Sequence, residues 1–160
     1  MSAAELKGPF VATLQATLAD LRRLREILLQ EQTALRGNEP EILEQVVQAK
    51  NDCLQALQHS VQAREQMLAQ LGLPGGLVGA EQFISAHFSP AEMLADWEAL
   101  VTVSREVGDL NVHNGKLARA GERSTREALS ILTGRPQAAG TYSRKGGQGQ
   151  SVSGYSLGKC

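Results

Sequence analysis

Apolar residues return every three to four positions along two long stretches of the chain, the period of one face of an α-helix rather than of a strand. In the first stretch Leu14, Leu21, Leu28 and Leu35 fall seven residues apart, and Phe10, Leu18 and Leu24 widen that line into a face broad enough to pack. The spacing predicts a helix over about 4–36. The second stretch repeats the pattern. Val47, Leu54, Val61 and Leu68 form one row and Leu43, Leu57 and Leu71 a companion row, predicting a helix over about 39–71. Lys50 and Arg64 interrupt the companion row and are expected at its solvent edge, where their long stems can cover apolar surface. Between the two stretches Gly37 reads as a C-terminal cap, Asn38 with Glu41 as an N-cap pattern, and Pro40 as a first-turn residue. So short a connection makes the pair an antiparallel hairpin, and its open seam requires a third partner.

The helical period then breaks at Gly72, Pro74, Gly75, Gly76 and Gly79. Residues 81–87, carrying Phe83 and Ile84, are expected to form a short helix that caps the open end of the hairpin. Ser89, Pro90 and Glu92 stand in the order of an N-cap, a first helical residue and a third, which starts a long helix over about 90–133. Its early part is amphipathic through Met93, Leu94, Trp97, Leu100, Val101 and Val107. Beyond that the stripe decays, since Gly108, Gly115 and Gly121 each weaken a helix by roughly 1 kcal/mol relative to Ala. Residues 118–127 are small or polar, and apolar content returns at Leu129, Ile131 and Leu132. A continuous helix of this length, roughly 65 Å, outruns its partners by about three turns. The expected fold is therefore all-α: an antiparallel bundle of three long helices over 1–134, with a short capping helix, followed by a disordered tail over 135–160.

Charge sharpens that division. Residues 1–134 carry 12 basic against 17 acidic side chains, whereas the tail carries Arg135, Arg144, Lys145 and Lys159 and no acid. An acidic body lacks the extended positive face that nucleic acid requires, so DNA and RNA are excluded as expected partners. Cys53 and Cys160 offer neither a disulfide framework nor a metal-ligand spacing. No apolar run approaches the ~18 residues of a membrane span, and the N-terminus has no signal-like apolar core, so a cytoplasmic protein without stable membrane insertion is expected.

Candidate chemistry is sparse. The three histidines, His59, His87 and His113, lie on different segments, and no nucleophile elbow or phosphate-binding loop is present. His59-Ser60-Val61-Gln62-Ala63 is similar to the His-x-aliphatic-Lys-small motif of histidine phosphotransfer domains, but Gln62 replaces the Lys that would neutralise a phosphoryl group. Leu110-Asn111-Val112-His113-Asn114-Gly115-Lys116-Leu117 is more informative. Two Asn and a Gly inside a helix weaken it with no evident packing gain, which leaves three readings: a close backbone approach, a binding role, or a polar layer that fixes helix register.

That segment, the following Ala128-Leu129-Ser130-Ile131-Leu132-Thr133-Gly134 and the tail element Thr141-Tyr142-Ser143-Arg144-Lys145-Gly146 together resemble the FlgN-like family of flagellar export chaperones. The heptad-patterned helices and the Gly-Pro break extend the resemblance over nearly the whole chain, although this tail is longer and richer in Gly than the family pattern. The resemblance implies a cytoplasmic chaperone of flagellar type III secretion with no enzymatic turnover, cofactor or metal. Its implied partners are the hook-associated, or hook-filament junction, proteins, whose aggregation-prone terminal helices it would hold, and the export gate or export ATPase components. Asn111, Asn114, Leu117, Leu129, Ile131 and Leu132 are the candidate client-binding residues, because a helix overhang with an apolar strip offers a client helix a partner. Tyr142 is the candidate gate-docking residue, an aromatic anchor beside Arg144 and Lys145. Two alternatives stay open: a phosphotransfer module using His59, and a self-associating coiled-coil scaffold. Homodimerisation through a leftover apolar seam also stays open.

Overall fold

A computed structural model describes residues 2–133, and these form four helices: α1 (Ala3–Gly37), α2 (Pro40–Gln70), α3 (Gly76–His87) and α4 (Pro90–Thr133). The expected tail over 135–160, with Tyr142, lies outside the described residues.

Helix α1 is the spine. It packs along both α2 and α4, which have no comparable packing against each other. Contacts fix the directions. Cys53 Sγ donates to the Asp20 carbonyl and Lys50 pairs with Glu31, so α2 runs antiparallel to α1. Arg25 pairs with Glu106 and Asn114 donates to the Leu28 carbonyl, so α4 runs parallel to α1.

Two apolar clusters lie along the spine. The larger joins Leu6, Phe10, Leu14, Leu18 and Leu21 of α1 to Met67 and Leu68 of α2, Phe83 of α3, and Met93, Trp97, Leu100 and Val103 of α4. Three phenylalanines meet there, with Phe10 edge-on to Phe83 at 4.7 Å and Phe88 at 5.9 Å from Phe83. The smaller cluster joins Leu24, Ile27 and Leu28 to Val46 and Cys53, and α4 adds only the half-buried Val107 and Leu110. Helix α4 is thus held tightly through Val103 and loosely beyond it. The decay of its apolar stripe in sequence is the cause.

Local chemistry sets the helix ends, and in three places it departs from expectation. First, Gly37 is the last residue of α1, and Asn38 takes the left-handed conformation that follows it, with φ 52° and ψ 51°. Asn tolerates this region, so it serves α1 and cannot also cap α2, whose N-cap is Glu39 without a side-chain bond. Second, α3 starts at Gly76 rather than near residue 81, because Gly75 serves as its N-cap and the Gly76 N–H donates to the Glu65 carboxylate at 2.8 Å. Close packing supports this start: a Cβ on Gly79 would overlap the Pro74 carbonyl. Third, Lys50 and Arg64 are not at a solvent edge. Their side chains are 21% and 10% exposed, Lys50 paired with Glu31 across the α1–α2 seam and Arg64 paired with its neighbour Glu65.

The expected inner row of α2 holds at one end of the helix and not at the other: Val46 and Cys53 are buried while Val47 and Leu54 remain 40% and 41% exposed, whereas Leu68 of that row is buried beside Met67. The two rows are adjacent on the helix, and Lys50 can enter the seam because Glu31 of α1 is there to receive it at 3.1 Å.

Candidate functional site

Because α2 and α4 flank α1 without closing on each other, a groove opens between them at the hairpin-tip end. Its floor is α1, through Glu31, Ala34 and Leu35. One wall is α2, through Leu43, Val47 and Lys50, and the other is α4, through Asn111, Gly115, Ala118, Gly121 and Leu129. Two adjoining cavities make it up, about 290 Å³ beside Lys50 and about 530 Å³ beside the α1–α2 turn, and both share Leu35, Leu43 and Ala118.

Small residues keep the α4 wall low. A Cβ on Gly121 would meet nothing within 4 Å, and one on Gly115 would meet only the Arg119 guanidinium at 3.8 Å. A close backbone approach within the chain therefore does not explain these glycines, and the open space above them belongs to the groove.

The floor carries a polar layer. Asn114 is 2% exposed and its amide nitrogen donates to the Leu28 carbonyl and to Glu31 Oε2, each at 2.8 Å. Lys50 Nζ donates to both Glu31 oxygens at 3.1 and 3.2 Å. Charge is balanced within the layer, which is the condition for burying Glu31 and half-burying Lys50. Asn114 Oδ1, however, is buried without a hydrogen-bond partner.

The six residues singled out from the sequence fall into three groups. Asn114 is in the floor, and Asn111 and the half-buried Leu117 line the groove on either side of it along α4. Leu129, 55% exposed, lies at the outer end of the groove beside the turn residues Asn38–Pro40. Leu132, 81% exposed, follows Leu129 on the same side of the helix. Ile131 is also 81% exposed but is rotated by about 200° from Leu129, so the expected strip of three is a pair plus a residue on the far face. Tyr142 lies outside the described residues.

Sequence reasoning missed the other half of the groove: Glu31, Leu43, Val47 and Lys50. A usable signal was present, since Lys50 interrupts an apolar row at the level where an antiparallel hairpin brings it opposite Glu31 of α1. A second apolar hollow of about 460 Å³, lined by Ile84, Phe88, Leu94 and Trp97, marks the α3–α4 elbow at the other end of the molecule.

His59 is exposed on α2. Among the described residues no group of three or more His, Cys, Asp or Glu could hold a metal ion, and no helix is long and apolar enough to cross a membrane.

Comparison with known proteins gives no significant match to any curated protein or solved structure. The family model for FlgN protein does match, over residues 7–150, a span that takes in most of α1, all of α2 and α3, and the whole of α4 with its groove wall. The chain belongs to the FlgN family of flagellar export chaperones.

Proposed function

We propose that this chaperone holds the terminal helices of hook-associated proteins in the α2–α4 groove and delivers them to the flagellar export apparatus from the cytoplasm. The open groove carries the reading. A helical protein of this family leaves one side of its spine uncovered, walls it with Leu43, Val47, Leu117 and Leu129, and keeps the opposing backbone accessible with Gly115 and Gly121. An amphipathic client helix supplies the missing third wall and removes apolar surface from water on both partners. Family membership supports this over phosphotransfer through His59, whose motif has Gln62 at the Lys position.

Charged side chains line the outer part of the groove, Glu39 at the hairpin turn and Glu122 and Arg126 on α4. Tyr142 is then the residue that docks the loaded chaperone at the export gate.

Replacing Leu129 and Leu132 together with Asp tests the groove. Binding to a purified hook-associated protein, followed by titration calorimetry, should weaken at least tenfold, or about 1.4 kcal/mol, with no change in the thermal midpoint. Unchanged affinity would remove the client role from this end of α4. Tyr142→Ala should keep client affinity while reducing capture of the complex by the cytoplasmic part of the export gate. Light scattering on the same samples decides the scaffold alternative, which requires a large assembly that grows with concentration.

A further inference from the structure

Two helix faces toward the hairpin tip carry opposite charge and find no counter-ion within the chain. On α4, Lys116, Arg119, Arg123 and Arg126 are exposed, and their spacings of 3, 4 and 3 residues set them within about 80° of one another around the helix. On α2, Glu41, Glu44 and Asp52 are exposed on one face, in a row that Gln48 completes with spacings of 3, 4 and 4, and Gln48 Nε2 donates to Asp52 Oδ1 at 3.0 Å. Among the described residues none of these seven charged side chains forms an ion pair, although Glu122 and Glu127 flank the basic row. Orientation explains this. Each row lies roughly opposite the buried residues of its own helix, Val46 and Cys53 on α2 and Val103 and Asn114 on α4, so both point away from the spine.

Between two chains the rows match. They are about 16 Å long on α2 and about 15 Å on α4, and the two helices run in opposite directions along α1. In a second copy set beside the first with the hairpin tips at the same end, Glu41 falls opposite Arg126, Glu44 opposite Arg123, Gln48 opposite Arg119 and Asp52 opposite Lys116. The Gln48 amide nitrogen is used on Asp52, which leaves its oxygen to accept from Arg119. A slip of one turn either way loses one of the three ion pairs. Net charge does not oppose the approach, since the whole chain carries only −1.

We propose that the acidic face of α2 and the basic face of α4 form a self-association surface, whose partner is a second copy of this chain lying side by side with the first. Exposed ion pairs are individually weak and are screened by salt, so the contact is low in affinity and sensitive to ionic strength. An apolar heptad seam would not share that sensitivity. The groove floor takes no part, and the contact stands whether or not the groove seats a client.

Sedimentation velocity on the full chain tests it. At about 0.1 mM protein and low ionic strength the native chain should sediment above monomer mass, and about 0.5 M salt should weaken the association at least tenfold. Charge reversal then identifies the faces. Glu41→Lys with Glu44→Lys and Asp52→Lys makes both faces basic, and Lys116→Glu with Arg119→Glu, Arg123→Glu and Arg126→Glu makes both acidic. Each variant alone should be a monomer, and an equimolar mixture of the two should associate again. Thermal midpoints report whether both fold; should either fail, Arg119→Gln with Arg123→Gln, which only removes charge, should weaken association of the chain several-fold. A native chain that stays monomeric at low ionic strength, an association that salt or the Gln pair leaves unchanged, or a mixture of folded variants that stays monomeric would each overturn the proposal.

Discussion

Phe10 is 1% exposed, edge-on to Phe83 and 6.2 Å from Phe88, so one side chain ties the start of α1 to α3 and to the α3–α4 elbow. Truncation to Ala should cost about 3–5 kcal/mol in denaturant unfolding, whereas Ile131→Ala, at 81% exposure, should stay within about 0.5 kcal/mol. Glu65 makes a pH prediction. A hydrogen bond from Arg64, aided by the Gly76 N–H and opposed by burial, holds its carboxyl below the ordinary range. Since the folded-state value lies below the unfolded one, this stabilisation is complete above the ordinary carboxylate range and is lost as pH falls through the depressed value. Thermal midpoints of the native chain should therefore fall more steeply than those of Glu65→Gln between about pH 5 and about pH 3. Parallel slopes would show that the bond contributes nothing at the α2–α3 junction.

At the scale of elements, the glycines separate into those the fold requires and those it does not. Gly72, at φ +68°, closes α2 with the paired bonds Leu73 N–H to the Leu68 carbonyl and Gly72 N–H to the Ala69 carbonyl, a left-handed ending that suits Gly. Gly79 is required by contact, and Gly79→Ala should destabilise by about 1–3 kcal/mol through overlap with the Pro74 carbonyl. Gly108 has open space around it inside α4, so Gly108→Ala should stabilise by about 0.5–1 kcal/mol. Differential scanning calorimetry reads both signs. The face of α1 was legible because Leu14, Leu18, Leu21, Leu24 and Leu28 leave only one apolar side. The face of α2 was not, because Val46 and Val47 are equivalent as sequence and Cys53 competes with Leu54. The choice between the rows depends on Glu31, which lies on another helix.

For the whole molecule, stability and binding are spatially separated. The aromatic cluster and the larger core lie toward the α3 end, while the groove lies at the hairpin tip, where α4 contributes no fully buried apolar side chain. Residues 122–132 of α4 are exposed apart from the half-buried Ser130, so deleting 122–134 should leave the thermal unfolding of the remainder nearly unchanged while abolishing client binding. A large fall in the midpoint would mean that this end of α4 supports the bundle. A chaperone benefits from such a division, because the surface that must open to a client is not the surface that holds the fold.

Several features of this protein were determined by the sequence alone. Apolar periodicity made the chain helical, the Gly-Pro break and the Ser89-Pro90-Glu92 start divided it, and the Asn111–Leu117 segment with its downstream aliphatic run pointed to the FlgN family. These are local properties, written in spacings of three to seven residues. Tertiary structure alone decided that α1 is the spine, that α2 and α4 stay apart, and that Asn114 meets Glu31 and Lys50 in one buried layer. That layer joins residues on three helices, 83 positions apart between Glu31 and Asn114. A hydrogen bond over that separation depends on the packing and register of whole helices, which no local pattern encodes.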